Sequence, residues 1–393
     1  MVSESDTVVP DIPYVRSAGE RRATFFELFF DLVYVFAVTQ LSHHLVADLT
    51  WVGAAQTAFM LFAVYWAWNY TTWMANWFDP DVPAVRLVLA FVMLASLLMA
   101  VAIPEAFGDL GLVFALGYCA LQVVRNAFVV AVTPRGPFNR NFRQILVWSL
   151  LSVPFWVGGA LAPGDARWAW WLAALALDLA APLVRYWLPG MAQTPMREWQ
   201  IDPGHFAERF QLFVIIVLGE SIVLTGATAS DAGLDAPVGV ALALAFGSSV
   251  ALWWIYFGKT ATSAVRRTAA SEAPGRIGRD AYTYLHIPIV AGILLAAVAD
   301  ELVIAHPGDD LGTAGALVAL GGGALYLLGV VAFGARVGRH QPWTRAAAAA
   351  VLLAAIPLAT SVPGLAVAAF STALLTLLVA ADSFGIGHPP ARA

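Results

Sequence analysis

The chain has 393 residues, 60% hydrophobic and only 12% charged, with a mean hydropathy of +0.75 and a formal net charge of −5. A soluble domain carries about twice that charged fraction, so a water-covered globule is excluded. The basic residues form no long stripe with interleaved aromatics, which excludes a nucleic-acid partner. The one cysteine, Cys119, excludes an intramolecular disulfide.

Residues 1–23 are polar, include Pro10 and Pro13, and are expected to form a disordered cytoplasmic tail. Apolar stretches then run at 24–47, 51–75, 83–104, 109–132, 142–161, 167–188, 206–229, 236–258, 281–304, 311–333, 344–361 and 363–384. Each approaches the ~20 apolar residues that cross a hydrocarbon layer. The expected fold is therefore all-α, a polytopic membrane bundle of about 12 transmembrane helices. Pro, Gly and acidic residues mark the joins, as in Asp79-Pro80-Asp81, Pro163-Gly164-Asp165 and Pro307-Gly308-Asp309-Asp310. Glu27 and Asp31 inside the first stretch argue against a cleavable signal peptide.

Basic residues test this layout. With the N-terminus inside, seventeen of the 21 Lys and Arg fall in inner gaps or tails, and Arg125, Arg185 and Arg209 lie in helix ends nearest that face. Only Arg167 lies outside, as the positive-inside rule expects for cytoplasmic termini. The halves also match one another. Glu27-x-Phe29-x3-Val33 parallels Glu208-x-Phe210-x3-Val214, and Tyr65-Trp66-Ala67-Trp68 parallels Leu252-Trp253-Trp254-Ile255. Leu97–Ala102 before Glu105 parallels Leu294–Ala299 before Glu301. A parallel six-plus-six repeat follows. Its expected parts are a first half over 24–188, a cytoplasmic linker over 189–204, a second half over 205–385 and a tail over 386–393.

Ionisable groups inside spans are costly, so they are structural partners or functional groups. Glu27 and Asp31 stand at i and i+4 on one helix face, which requires a nearby cation or one protonated carboxyl. His205, Glu208 and Arg209 open the seventh stretch at the same depth, and Asp280 and His286 lie in the ninth. Arg209 and Arg22 are candidate partners for the acids. One reading is a functional inner cluster from these three helices; the other is a set of salt bridges that only fix packing.

Glu220 lies 15 residues after His205, roughly 22 Å along a helix. With Gln40, His43, His44 and Glu301 it forms a candidate outer polar cluster, able to relay protons, hold a cation or ligate a metal. His44, Glu220 and Glu301 are the weak metal candidates, and no cofactor is implied. Asp178 lies mid-span in the sixth stretch, where the other half carries no matching acid, so it joins Glu27, Asp31, His205, Glu208, Arg209, Glu220 and His286 as a substrate- or ion-coupling candidate; structural pairing with Arg185 is the alternative. Trp66, Trp68, Trp253 and Trp254 either face lipid or line an apolar pocket, while the Trp residues at helix ends read as interfacial anchors. No phosphate-binding loop, H-E-x-x-H or G-x-S-x-G is present. Gly321-Gly322-Gly323 reads as a close helix contact.

The segments Glu27-Leu28-Phe29-Phe30-Asp31-Leu32-Val33, Gln40-Leu41-Ser42-His43-His44, His205-Phe206-Ala207-Glu208-Arg209 and Ile215-Ile216-Val217-Leu218-Gly219-Glu220-Ser221 resemble the bacterial low temperature requirement A (LtrA) family. The run Arg279-Asp280-Ala281-Tyr282-Thr283-Tyr284-Leu285-His286 fits as well. The resemblance implies a multi-pass bacterial inner-membrane protein and points to Glu27, Asp31, Glu208, Arg209, Glu220 and His286. It does not extend to Gly258, where family members often carry an acid. The expected function is a secondary transporter whose intramembrane carboxylates couple substrate movement to protons or cations. An intramembrane enzyme with a His/Glu site and a membrane sensor or scaffold are the alternatives. The expected partners are the bilayer and a small-molecule or ion substrate, and a homo-oligomer is left open.

Overall fold

The computed structural model of the protein describes residues 14–16, 22–193, 195, 199–258, 260–338 and 343–384. Most of the expected tails, 1–23 and 386–393, and part of the linker 189–204 lie outside the described residues.

Among the described residues the regular structure is helical and no strand forms. The helices are α1 (Phe25–Ala47), α2 (Trp51–Trp77), α3 (Pro83–Val101), α4 (Gly111–Val132), α5 (Pro137–Leu161), α6 (Ala166–Leu183) and α7 (Pro203–Ala232). There follow α8 (Ala236–Phe257), α9 (Thr260–Ala269), α10 (Pro274–Ile277), α11 (Leu285–Ala305), α12 (Gly312–Arg336), α13 (Trp343–Ala359) and α14 (Gly364–Ser383). A π-helical turn at Gly278–Tyr284 runs into α11. All of these except α9 and α10 fall on the twelve expected apolar stretches. Nine helices among the described residues are long and apolar enough to cross a membrane. The exceptions among the long helices are α2, which interleaves Gln, Asn and Thr, α6, which carries Arg167 and Asp178, and α13, which has 17 residues.

Local chemistry sets the ends. Thr24 and Glu27 form a capping box at the start of α1. Thr24 N donates to Glu27 Oε2 at 2.8 Å, and Glu27 N donates to Thr24 Oγ1 at 3.3 Å. Pro83 and Pro137 stand in the first turns of α3 and α5, where a missing N–H costs nothing. Asp235 caps α8 by accepting from Val238 N at 2.9 Å. Gly233, with φ +84°, closes α7 in the left-handed region that a side chain would disfavour.

The surface is inverted relative to a soluble protein. On α3, Leu87, Phe91, Leu94, Leu98 and Val101 are exposed while Ser96 is buried. An outward apolar face with polar atoms turned inward is what a helix in lipid requires.

The chain divides into two compact units. The first holds residues 1–40, 59–209 and 269–279, and the second holds 41–58, 210–268 and 280–393. The first unit has an aromatic core in which Phe59 stacks on Trp171 at 5.5 Å and Tyr118 packs on Trp156 at 4.4 Å. Trp73 and Trp77, near the end of α2, are buried with Phe206, Phe138 and Phe142. They fill protein interior instead of anchoring at an interface, because rings from α5 and α7 cover them. Arg167 donates to the carbonyls of Ala106 and Gly108 at 3.1 and 2.9 Å and lies over the Trp171 ring.

Within the stretch expected to be disordered, Tyr14–Arg16 depart from that reading. Val15 bridges to Phe78, and Arg16 Nε donates to the Ala75 and Phe78 carbonyls at 2.9 and 3.2 Å. The end of α2 offers carbonyls that no further helical turn satisfies, and Arg16 meets that need.

The second unit packs small residues closely. α11 and α12 approach through Gly292, Gly322 and Gly329. A Cβ at Gly292 would sit 2.6 Å from Tyr326 N, and one at Gly322 would sit 2.7 Å from Leu295 Cβ. Of the Gly321–Gly323 run, Gly321 faces open space. Ala229, Val238, Ala241, Ala245, Val303 and Ile304 form a further apolar cluster.

Candidate functional site

The ends of α1 and α7 that belong to the first unit build a buried, charge-neutral cluster. Asp31 takes both arms of Arg209, with Nη1 to Oδ2 and Nη2 to Oδ1 each at 2.7 Å. Such a two-pronged guanidinium–carboxylate pair fixes geometry as well as charge. Trp68 Nε1 on α2 adds a third donor to Asp31 Oδ1 at 2.9 Å, and the Arg209 guanidinium lies 6.0 Å from the Trp68 ring centre. Asp31 and Arg209 are 2% and 1% exposed, so the pair is out of reach of water.

One turn earlier on α1, Glu27 Oε2 accepts from Arg16 Nη2 at 2.7 Å, and Oε1 accepts from His205 Nε2 at 2.9 Å. Asn76 sets the imidazole. Its Oδ1 accepts from Asp202 N at 2.9 Å, which turns Nδ2 toward His205 Nδ1 at 3.0 Å. Nδ1 therefore accepts, and the proton sits on Nε2, facing Glu27. Two carboxylates, two guanidiniums and a neutral imidazole balance, which is the condition for burying charge at tolerable cost. Glu208 is half-buried beside this set and accepts from Ala23 N at 2.9 Å.

Arg209 is the partner the sequence reading expected. Arg22 is not: its side chain is exposed, and Arg16 takes its place at Glu27. Trp68, Asn76 and Arg16 were missed as members of the cluster. Thr24-x-x-Glu27 was the available signal for how the first turn of α1 is held. Asp280 and His286 belong to the second unit. There Asp280 pairs with Arg336. His286 accepts at Nε2 from Tyr256 Oη at 2.7 Å and lies among Phe210, Tyr282 and Phe333.

A second network in the first unit lies deeper. Asp178 accepts from Tyr118 Oη at 2.8 Å and Trp156 Nε1 at 3.0 Å. Gln122 Nε2 donates to Tyr118 Oη at 3.1 Å, and Arg125 donates to Gln122 Oε1 and to Thr71 Oγ1 at 3.1 Å. Asp178 and Arg125 are thus joined through two neutral side chains. The expected Arg185 partner is absent because Arg185 and Tyr186 leave the helical face, with φ of 56° and 51°.

The outer candidates are Gln40 in the first unit and the rest in the second. Gln40 is half-buried. His44 Nε2 turns to Gln56 Oε1 at 3.1 Å, and His43 is exposed. Glu220 is 1% exposed. Glu301 has His43 and Glu220 as its charged neighbours, and its Oε2 is buried without a hydrogen bond. Among the described residues no group of three His, Cys, Asp or Glu side chains converges to hold a metal, so the metal reading of His44, Glu220 and Glu301 gains no geometric support. The two tryptophan pairs also separate: Trp66 and Trp68 are fully buried, whereas Trp253 and Trp254 are 45% and 49% exposed.

Trp68 supplies a testable contribution. Trp68→Phe keeps a ring but removes the donor to Asp31. A hydrogen bond to a charged group contributes about 1.5–3 kcal/mol, so the variant is expected to melt several degrees lower in detergent. An unchanged melting curve would show that Asp31 does not need the indole N–H.

A family model described as bacterial low temperature requirement A protein (LtrA) matches residues 22–380. An uncharacterized protein of Rhizobium meliloti (strain 1021) is 36% identical over 376 residues, covering 95% of this chain and 91% of the relative. No solved structure matches the chain. With the match running from residue 22 to residue 380, the chain belongs to the bacterial low temperature requirement A family.

Proposed function

We propose that the protein is a secondary transporter of the bacterial cytoplasmic membrane, in which intramembrane carboxylates couple movement of a small molecule or ion to protons or cations. The observation that carries this reading is Glu220. It is buried in a span of 30 residues, and with His43 it forms the charged surroundings of Glu301 in the second unit. Carboxyl groups at hydrocarbon depth are retained where a charge must be taken up and released. In the same reading both termini are cytoplasmic, as the distribution of Lys and Arg supports.

The reading uses twelve crossings. α2, with 27 residues, reaches about 40 Å, and α6 and α13 reach about 25–27 Å, near the ~30 Å hydrocarbon thickness. The matched motifs of α1 and α7, α2 and α8, and α3 and α11 support a parallel six-plus-six repeat. The Glu27–His205 and Asp31–Arg209 cluster serves as a charge-neutral latch at the cytoplasmic end. Its close ion pairing favours a second reading for that cluster alone, in which it fixes α1, α2 and the start of α7 and takes no part in transport.

The test is flux into proteoliposomes under an imposed proton or sodium gradient, screened over radiolabelled small solutes. Glu220→Gln is expected to abolish gradient-driven uptake while membrane insertion and melting stay unchanged. Full uptake by that variant would overturn the coupling role.

A further inference from the structure

Asp300 stands apart from every carboxylate considered above. It lies on α11 in the second unit, and no hydrogen bond or ion pair reaches it from the described residues. All the residues that share a small, partly open void of about 20 Å³ with it are uncharged. The void is lined by Asp300, Ser248 of α8, and Ser371 and Thr372 of α14, and otherwise by Ala, Val, Leu and Gly. The Thr372 hydroxyl donates to the Leu244 carbonyl at 3.2 Å, which leaves its oxygen lone pairs free to accept or coordinate. The Ser248 and Ser371 hydroxyls carry no hydrogen bond to described residues.

An ionised carboxylate among apolar side chains is costly unless a counter-charge lies beside it. Elsewhere in this unit the protein solves that problem with arginine: Asp382 pairs with Arg345 at 2.6 Å, and Asp280 pairs with Arg336. At Asp300 no basic side chain lines the void. What lines it instead is one carboxylate and three hydroxyl oxygens, the ligand chemistry of a hard cation. The void has room for about one water-sized particle. One carboxylate balances one positive charge, so a monovalent ion leaves the site neutral, whereas a divalent ion would leave a net charge in an apolar interior.

We propose that Asp300, Ser248, Ser371 and Thr372 form a binding site for a single sodium ion within the second unit. The ion binds to the carboxylate and the hydroxyl oxygens, and it ties α8, α11 and α14 together. The site is separate from Glu220 and does not depend on the transport reading.

The test measures binding without flux. Purified full-length protein in detergent is titrated with radioactive sodium in a scintillation proximity assay, and its melting is followed in sodium chloride and in choline chloride at equal ionic strength. Wild type is expected to bind sodium saturably and to melt higher in sodium than in choline. Asp300→Asn is expected to lose both effects. Ser371→Ala combined with Thr372→Val keeps the carboxylate and is expected to weaken sodium binding by at least tenfold, which keeps the proposal testable if Asp300→Asn does not fold. Absence of saturable binding in folded wild type would overturn the site. Binding retained in full by both variants would overturn it as well. A wild type that binds sodium yet moves no solute leaves this site standing and counts against the transporter reading. Gradient-driven uptake without sodium binding does the reverse.

Discussion

Arg209→Met is expected to destabilise the protein by about 3–5 kcal/mol, the cost of leaving one member of a buried ion pair alone. Both Arg209 hydrogen bonds to Asp31 are lost, and the carboxylate keeps only the Trp68 indole as donor. Glu27 is affected less, since Arg16, His205 and Thr24 still serve it. The partner change separates charge from shape. Asp31→Asn in the Arg209→Met background removes the stranded charge and is expected to recover a large part of the loss. Thermal unfolding in detergent measures both, together with the fraction of monodisperse protein. Equal destabilisation in the single and double variants would show that the two side chains are not energetically coupled.

Gly292→Leu is expected to fail to give folded protein, while Gly321→Leu is tolerated. The two changes add the same side chain to the same pair of neighbouring helices, yet their surroundings differ. At Gly292 even the first carbon meets backbone, with Tyr326 N at 2.6 Å and Gly322 O at 2.8 Å. Backbone atoms cannot rotate aside, so the cost exceeds the ~1–3 kcal/mol of ordinary overpacking. At Gly321 nothing lies within 4 Å, and replacing glycine in a helix gains up to ~1 kcal/mol from propensity. Gly321→Leu is expected to melt at or slightly above wild type, whereas Gly292→Leu is expected to show no cooperative melt. A folded Gly292→Leu with wild-type melting would mean that α11 and α12 do not approach so closely.

The helical positions were legible because lipid imposes a simple demand, an apolar run of a given length bounded by Pro, Gly and charge. The Asp31–Arg209 pair was legible for a related reason. Ionisable side chains inside such runs are rare enough that opposite charges at equal depth point to one another. Depth along a helix does not specify rotation about its axis, however. For that reason the partners of Asp280 and His286 within the second unit, Arg336 and Tyr256, were not legible. The same ambiguity put weight on Glu301 and none on Asp300, its immediate neighbour. Arg16 was invisible for a different cause. It precedes Glu27 by eleven residues in a polar, proline-containing stretch where no periodicity constrains the chain. Trp68 looked like one aromatic among many, because nothing in the sequence shows where an indole N–H points.

The Asp31–Arg209 pair also constrains how the chain is made. The partners are 178 residues apart, so the first helix leaves the ribosome long before its arginine exists. At about 5–20 residues per second, Asp31 waits roughly 10–35 s for Arg209 to be synthesised. Trp68 arrives after only 37 residues and supplies an early donor. Until the seventh helix is delivered, α1 has a carboxylate that lipid does not accept. The buried ion pair of α1 is therefore complete only once α7 arrives. The contact that seats the first helix forms late, out of chain order.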